Sequence, residues 1–125
     1  MTLSTNSRAN DFVCNLAISD AKKLPKELDW DDKNKVSPVK NQLTCGACYI
    51  FSALGALESQ YLLKWEEYSF SEQVLLNCLN TGCKGGSMDI VWDYIILNGV
   101  PDDTDDDNKY VGKVRHCKRI SLQNS

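Results

Sequence analysis

The residues of this 125-residue chain best suited to chemistry are Gln42 and the cysteines of Gln42-Leu43-Thr44-Cys45-Gly46-Ala47-Cys48-Tyr49, a run leading straight into the apolar Ile50-Phe51-Ser52-Ala53-Leu54. The pattern places a cysteine at the start of a helix. A thiol is a poor nucleophile until it ionises, and the unpaired N–H groups and positive dipole end of a helix N-terminus favour an anion. Together with a histidine partner they can lower a cysteine pKa from about 8.5 into the range of roughly 3.5 to 7.5. Cys48 is the cysteine placed to feel that field. Gly46 lets the backbone turn sharply before the helix, and the small Ala47 leaves the sulfur accessible. Gln42 can swing its amide N–H toward the same spot, where with the backbone N–H of Cys48 it would hold a developing oxyanion; one such donor is worth about 10² to 10³ in rate. Both residues also have a plainer reading. A cysteine on an apolar helix is ordinarily an inert packing residue, and a lone loop glutamine is ordinarily solvated.

Apolar spacing reveals the elements that must hold these residues. From Cys48 onward, Ile50, Leu54, Leu57 and Tyr61 recur at helical spacing, and Phe51, Leu62 and Trp65 widen the stripe into a face that could be buried, which predicts a helix of about 17 residues. Ser69-Phe70-Ser71-Glu72 has capping-box spacing, with Ser69 accepting the backbone N–H near Glu72 and Glu72 reaching back. A short helix through Val74, Leu75 and Cys78 follows. Ser87 can cap a third helix in which Met88, Val91, Trp92 and Ile95 share a face, and Asn98-Gly99 is a left-handed stop. Upstream, Pro25 fixes an extended entry. Pro38 confines Val36-Ser37-Pro38-Val39 to an edge or non-ladder position, so this segment should lie over the core without forming a central strand. Residues 1–23 read as a tail or linker whose only compact apolar feature is Asp11-Phe12-Val13-Cys14.

Composition narrows the functional classes. The content is 42% hydrophobic and 25% charged, ordinary for a globular domain. The net charge of -3 reflects 17 acids against 14 scattered bases, so there is no basic stripe for nucleic acid. No apolar run approaches the roughly 18 to 20 residues that span a bilayer, and Met1 to Asn10 is polar, without the apolar core of a secretory signal. The aspartates from Asp102 to Asp107 invite a calcium reading. Counted from Asp103, however, Asn108 falls where the turn glycine of a calcium loop belongs and Val114 where its glutamate belongs, so the run reads as a solvated acidic loop. Six cysteines suggest either disulfides or a metal site, and full pairing would allow 15 connectivities. One metal reading is a structural zinc site from Cys45-x2-Cys48 and Cys78-x4-Cys83.

Cys45-Gly46-Ala47-Cys48-Tyr49 fits the pattern C-G-[SA]-C-[WY] at every position, and in this the chain resembles the papain-like, or cathepsin-like, cysteine proteases. From Leu24 to Cys117 it is similar to the helical left-hand domain of that family. Leu24-Pro25-Lys26-Glu27-Leu28-Asp29-Trp30 is similar to the mature N-terminus, and Val36-Ser37-Pro38-Val39-Lys40-Asn41-Gln42 to the stretch ending in the oxyanion glutamine. Ser71-Glu72-Gln73-Val74-Leu75-Leu76-Asn77-Cys78 resembles the S-E-Q-x-L-x-D-C segment, and Gly82-Cys83-Lys84-Gly85-Gly86 the G-C-x-G-G segment. Tyr49 stands where the family usually has tryptophan. The tyrosine-proline-tyrosine element after the third helix is not evident, so the correspondence from Gly99 to Cys117 is loose.

The resemblance implies an α+β papain-like fold of which this chain covers mainly the helical left-hand domain, with 1–23 a propeptide remnant or disordered tail and 24–125 the domain. It implies peptide-bond hydrolysis through an acyl-enzyme on Cys48 with Gln42 in the oxyanion hole, and no cofactor or metal. Gly85 and Gly86 would let a substrate backbone run alongside as a short strand, while Gly86, Ser87 and Met88 border the pocket for the residue two before the cleaved bond. The implied disulfides are Cys45–Cys83 and Cys78–Cys117, each worth on the order of 3 to 4 kcal/mol in the chain-entropy model, leaving Cys48 free. The implied partners are a polypeptide substrate or inhibitor and a complementing right-hand domain; the implied location is lysosomal or extracellular. The family also needs a histidine and an asparagine roughly 130 to 150 residues after the cysteine. His116, the only histidine, sits beside a disulfide cysteine and reads as a surface residue. The chain by itself is therefore expected to be an incomplete or inactive peptidase. The rival is a non-catalytic module that binds peptides or propeptides through the Gly85-Gly86 edge, and the zinc site ranks behind both.

Overall fold

The structure is a computed structural model that describes residues 18–118; Asp11-Phe12-Val13-Cys14 lies outside the described residues. Among the described residues four α-helices form: α1 (Ile18–Ala21), α2 (Cys48–Leu63), α3 (Glu72–Cys78) and α4 (Met88–Asn98), with 3₁₀ turns at Gly82–Lys84 and Asp106–Asn108. Among the described residues the only β pairing is an isolated antiparallel bridge between Phe70 and Asp102. α1 shows that the stretch expected to be a tail ends in a helical turn.

α2 is the centre of the domain and packs against both α3 and α4. Tyr49, Ile50, Ala53 and Leu54 are buried, with Leu57, Tyr61 and Phe51 packed against them, which is the stripe expected from their spacing. Trp65 departs from that expectation. The helix stops at Leu63, and Trp65 takes a left-handed φ of 64° beyond the helical repeat. Its indole is 87% exposed, with the Lys35 ammonium 3.5 Å above the ring.

The cap of α3 also differs from expectation. Ser71, not Ser69, is the N-cap; its hydroxyl accepts the Val74 N–H at 3.1 Å and donates to the Asn108 carbonyl at 2.7 Å. The Ser69 hydroxyl donates to Asp103 at 2.7 Å, and Glu72 does not reach back because its carboxylate faces Lys40. Ser87 holds the N-cap position of α4 with extended backbone angles but makes no capping bond, and its buried hydroxyl oxygen has no partner. The core face of α4 is Val91, fully buried, with Ile90, Trp92, Tyr94 and Ile95 packed around it. Met88 is 47% exposed at the rim, its sulfur accepting a hydrogen bond from Ser52 at 3.2 Å. Gly99 ends the helix with φ 74°, and its N–H donates to the Ile95 carbonyl at 2.7 Å.

Charge is buried beneath the entry segment. Glu58, only 1% exposed on α2, accepts from the Ser37 hydroxyl at 2.6 Å, the Phe70 N–H at 2.7 Å and the Lys40 ammonium at 3.2 Å. Lys40 also donates to Glu72 at 2.8 Å and to the Phe70 carbonyl at 3.3 Å. The 36–39 segment is thus held by polar contacts rather than by its valines, and Val39 is 98% exposed.

The chain after Gly99 has no apolar period, yet side chains of α3 fix its backbone. Gln73 accepts the Val111 N–H at 3.0 Å and donates to the Lys113 carbonyl at 2.9 Å. Asn77 accepts the Arg115 N–H at 2.7 Å, and Cys78 is bonded to Cys117. The acidic run is partnered locally: Asp102 with Thr104, Asp103 with Ser69, Asp106 with Lys109 and Asp107 with Lys118.

Burial pushes the Glu72 carboxyl above its ordinary 4.5, with the Lys40 charge pulling partly back. For Lys40, burial pulls the ammonium down, but Glu72 and Glu58 together outweigh it and hold it above its ordinary 10.5. The Lys40 contribution to stability is therefore fully present below about pH 10.5 and lost as pH rises through its raised value in the fold. Glu72 acts in the same direction at lower pH, its raised carboxyl favouring the fold below its ordinary 4.5 and costing stability as pH rises through its higher value in the fold. Lys40→Met should cost about 3 to 5 kcal/mol at neutral pH by leaving two buried carboxylates without a cation. That deficit should shrink as the pH is lowered toward 4 and Glu72, whose carboxyl is raised, takes up a proton; urea unfolding that shows a pH-independent deficit would contradict the assignment. Ser71→Ala should cost about 1 to 2 kcal/mol, whereas Ser87→Ala should be neutral or slightly stabilising because its hydroxyl bonds nothing. Equal losses in thermal melts of the two variants would refute that contrast.

Candidate active site

The approach to α2 is a tight polar turn. The Leu43 N–H donates to the Asn41 side-chain oxygen at 2.8 Å, and the Gln42 amide nitrogen donates to the Cys45 carbonyl at 2.9 Å. Ala47 is the N-cap residue and supplies no side-chain cap, so the first N–H groups of α2 keep the anion-favouring character of an open helix end. Cys48 is the first helical residue, and its thiol is free and exposed. Ala47, by contrast, is fully buried. Its small size therefore fits the packing beneath the turn, while the helix direction brings the next residue outward.

A second segment is drawn against this turn. Cys45 is bonded to Cys83, and the Gly46 N–H donates to the Cys83 carbonyl at 2.9 Å. The two backbones approach so closely that a Cβ on Gly46 would lie 2.5 Å from the Cys83 oxygen. This brings the glycine segment Gly85-Gly86, followed by Ser87 and Met88, beside the helix end that carries Cys48. Gly85 adopts φ 99°, a conformation open only to glycine at little cost, and Gly86 is exposed. Tyr49 has a role that residue spacing alone did not reveal. Buried to 3% exposure, it donates its hydroxyl to the Gly82 carbonyl at 2.7 Å and accepts from Thr81 at 3.1 Å, pinning the start of the glycine segment to the first turn of α2. The only hint in the sequence was a hydroxyl-bearing ring at the head of an otherwise apolar helix face.

The paired cysteines remove the zinc alternative, because Cys45, Cys78 and Cys83 are all in disulfides. The groups able to act chemically here are one free thiol, one primary amide and the backbone N–H groups between them. His116 is exposed beside Cys117, whose disulfide holds the last residue of α3. A surface hollow of about 490 Å³ lined by Val36, Pro38, Leu62, Glu67, Tyr68 and neighbouring residues includes neither Cys48 nor the glycine segment, so the thiol lies on an open edge rather than in that hollow.

Residues 24–125 match the model of the papain family of cysteine proteases, and the chain belongs to that family. It is 46% identical over 101 residues to procathepsin L of Mus musculus, covering 77% of this chain and 30% of that protein. It is also 46% identical over 79 residues to the viral cathepsin of a Cydia pomonella granulosis virus, covering 61% of this chain and 24% of that protein. Among solved structures, the bromelain protease of Ananas comosus in complex with the E64 inhibitor superposes with a TM-score of 0.70 at 37% identity, covering 77% of this chain and 45% of that one. A recombinant stem bromelain precursor gives a TM-score of 0.75 at 35% identity, covering 86% and 36%. The chain thus spans less than a third of the length of procathepsin L, and its helices are those of the family's helical left-hand domain.

Gly46→Ala should force the 45–47 turn away from Cys83, costing about 1 to 3 kcal/mol as overpacking does. It should also speed opening of the Cys45–Cys83 disulfide by dithiothreitol. A variant with the melting temperature and reduction rate of the parent would show that the close approach is not required.

Proposed function

We propose that these residues carry the nucleophile and one wall of the substrate cleft of a papain-family cysteine peptidase. The observation that carries this reading is that Cys48 alone among the described cysteines is free and exposed, at the uncapped start of a 16-residue helix. In this role the Cys48 thiolate adds to a peptide carbonyl carbon, and the carbonyl oxygen becomes an oxyanion held by the Cys48 N–H and the Gln42 amide. Collapse expels the amine, which takes a proton, and leaves a thioester that water hydrolyses. Gly85 and Gly86 pair with the substrate backbone, and Ser87 and Met88 border the pocket for the side chain two before the cleaved bond.

The proton transfers need an imidazole, and the position of His116 does not suit it. The reading therefore assigns that group, with the opposite cleft wall, to residues beyond these 125 or to a complementing chain. Without it, general acid–base help worth 10² to 10⁴ in rate is lost, and this chain alone should hydrolyse peptides little or not at all. Its partners are polypeptide substrates and inhibitors. A lysosomal or extracellular location accords with the two disulfides, which persist in oxidising compartments.

The test is covalent labelling of the 125-residue chain, in which thiolate attack opens an epoxide ring and the ring oxygen takes a proton. A peptidyl epoxide should modify Cys48 alone. Met88→Asp should slow that reaction about tenfold while leaving the rate with iodoacetamide, which needs no peptide edge, unchanged. Labelling at other residues, or indifference to Met88→Asp, would overturn the reading. Saturable peptide binding without any labelling of Cys48 would point to a non-catalytic binding module instead.

A further inference from the structure

The turn that carries Gln42 is held by a residue far away in the chain. Its backbone carbonyl accepts a 2.6 Å hydrogen bond from the Tyr110 hydroxyl. The Tyr110 ring stands edge-on to Phe51 of α2, with centroids 4.9 Å apart and planes at 88°, and the next residue, Val111, is fixed through its N–H to Gln73 of α3. Tyr110 is therefore anchored to two helices and reaches one atom of the catalytic turn.

That atom belongs to a strained peptide. Leu43, on the other side of the 42–43 peptide bond, has φ 59°, a left-handed conformation that a bulky L-residue adopts only at a cost in free energy. Its side chain lies over Gly112, where a Cβ would come within 2.9 Å of the Leu43 Cδ1. A peptide plane relaxes such strain by rotating, which changes ψ of the residue before and φ of the residue after together. Rotation here would relieve Leu43 and swing the Gln42 carbonyl away from Tyr110. The hydrogen bond thus opposes relaxation at the carbonyl end of this peptide, as the Leu43 N–H bond to the Asn41 side chain at 2.8 Å does at its other end. Where the change at ψ of Gln42 is not fully compensated at φ of Leu43, Gln42 itself shifts, and among the described residues its amide is held by the Cys45 carbonyl of its own turn, at 2.9 Å.

We propose that Tyr110 is a positioning residue for the oxyanion-binding amide of Gln42, its hydroxyl latching the Gln42–Leu43 peptide against the pull of a left-handed Leu43. The proposal rests on the reading of Gln42 as an oxyanion donor, and it adds that the donor is set from the segment 110–112, far along the chain. Burial, helped by the Glu72 charge, holds the phenol above its ordinary value of 10.0, so Tyr110 stays protonated and able to donate through the acid and neutral range.

The test separates addition that needs an oxyanion site from alkylation that does not. A dipeptide aldehyde carrying a ¹³C carbonyl adds to the Cys48 thiol; the new S–C bond forms as the carbonyl oxygen takes the thiol proton. The carbon resonance reports the adduct and its affinity. Tyr110→Phe, which keeps the ring against Phe51, should weaken the adduct about three- to tenfold. The rate of iodoacetamide alkylation of Cys48 should stay within twofold, and the Gln42 carbonyl resonance should shift. Gln42→Ala should weaken the adduct at least as much, and the double variant should be no worse than Gln42→Ala alone. If Gln42→Ala weakens the adduct while Tyr110→Phe does not, the latch is wrong and the oxyanion reading stands. Additive losses in the double variant, or a Tyr110→Phe protein whose alkylation slows in parallel with its adduct, would also overturn the latch. If Gln42→Ala leaves the adduct unchanged, or the unaltered protein forms none, the oxyanion reading and the latch fall together.

Discussion

Two carboxylates cannot remain ionised inside a small domain without a cation, and the position of the Lys40 ammonium answers that requirement. Glu58 comes from the middle of α2 and Glu72 from the first turn of α3, while Lys40 reaches both from a segment that has no secondary structure of its own. Buried ion pairs are weak sources of net stability, but removing one member is costly, so the cluster acts mainly as a constraint on geometry. It fixes the approach to the turn at Gln42, two residues further on. The entry segment is exposed along its apolar residues and held along its polar ones, the reverse of how a strand is ordinarily secured.

The site is assembled by the same economy. α2 supplies Cys48 at one end and Glu58 further along, so the helix that presents the thiol also anchors the chain leading to it. The glycine segment is held at three points: a disulfide, a backbone hydrogen bond into a glycine, and the Tyr49 hydroxyl. Tyrosine at this position, where the family usually has tryptophan, supplies a hydroxyl that both donates and accepts, whereas an indole can only donate.

Much of this was legible in the sequence. The start of α2, its Ile50–Leu54–Leu57–Tyr61 stripe, the Gly99 stop and the membership of the family follow from local pattern, because each depends on neighbours a few residues apart. What stayed hidden depends on distant partners. Glu58 looks like a surface residue on the sequence of α2, and only Lys40, Ser37 and Phe70 make its burial possible. Ser69 and Ser71 both precede a helix with suitable spacing, and the choice between them is made by Asn108 and Asp103. Trp65 carried the helical period past the point where the helix ends. The segment from Gly99 to Cys117 has no apolar rhythm because side-chain amides of α3, rather than a hydrophobic face, hold its backbone, and so the place of Tyr110 could not be read from spacing.

The two disulfides are interleaved in sequence, Cys45 to Cys83 crossing Cys78 to Cys117. Side-by-side bridges would leave a stretch between them where one cut separates the molecule into pieces. With the crossing arrangement, a single break of the backbone anywhere from Cys45 to Cys117 leaves both parts covalently joined. The exposed aspartate-rich loop lies inside that span, so after a nick there the segment that carries Tyr110 would remain tied to α3 through Cys78–Cys117. A single cut in that loop would therefore leave the domain one covalent unit.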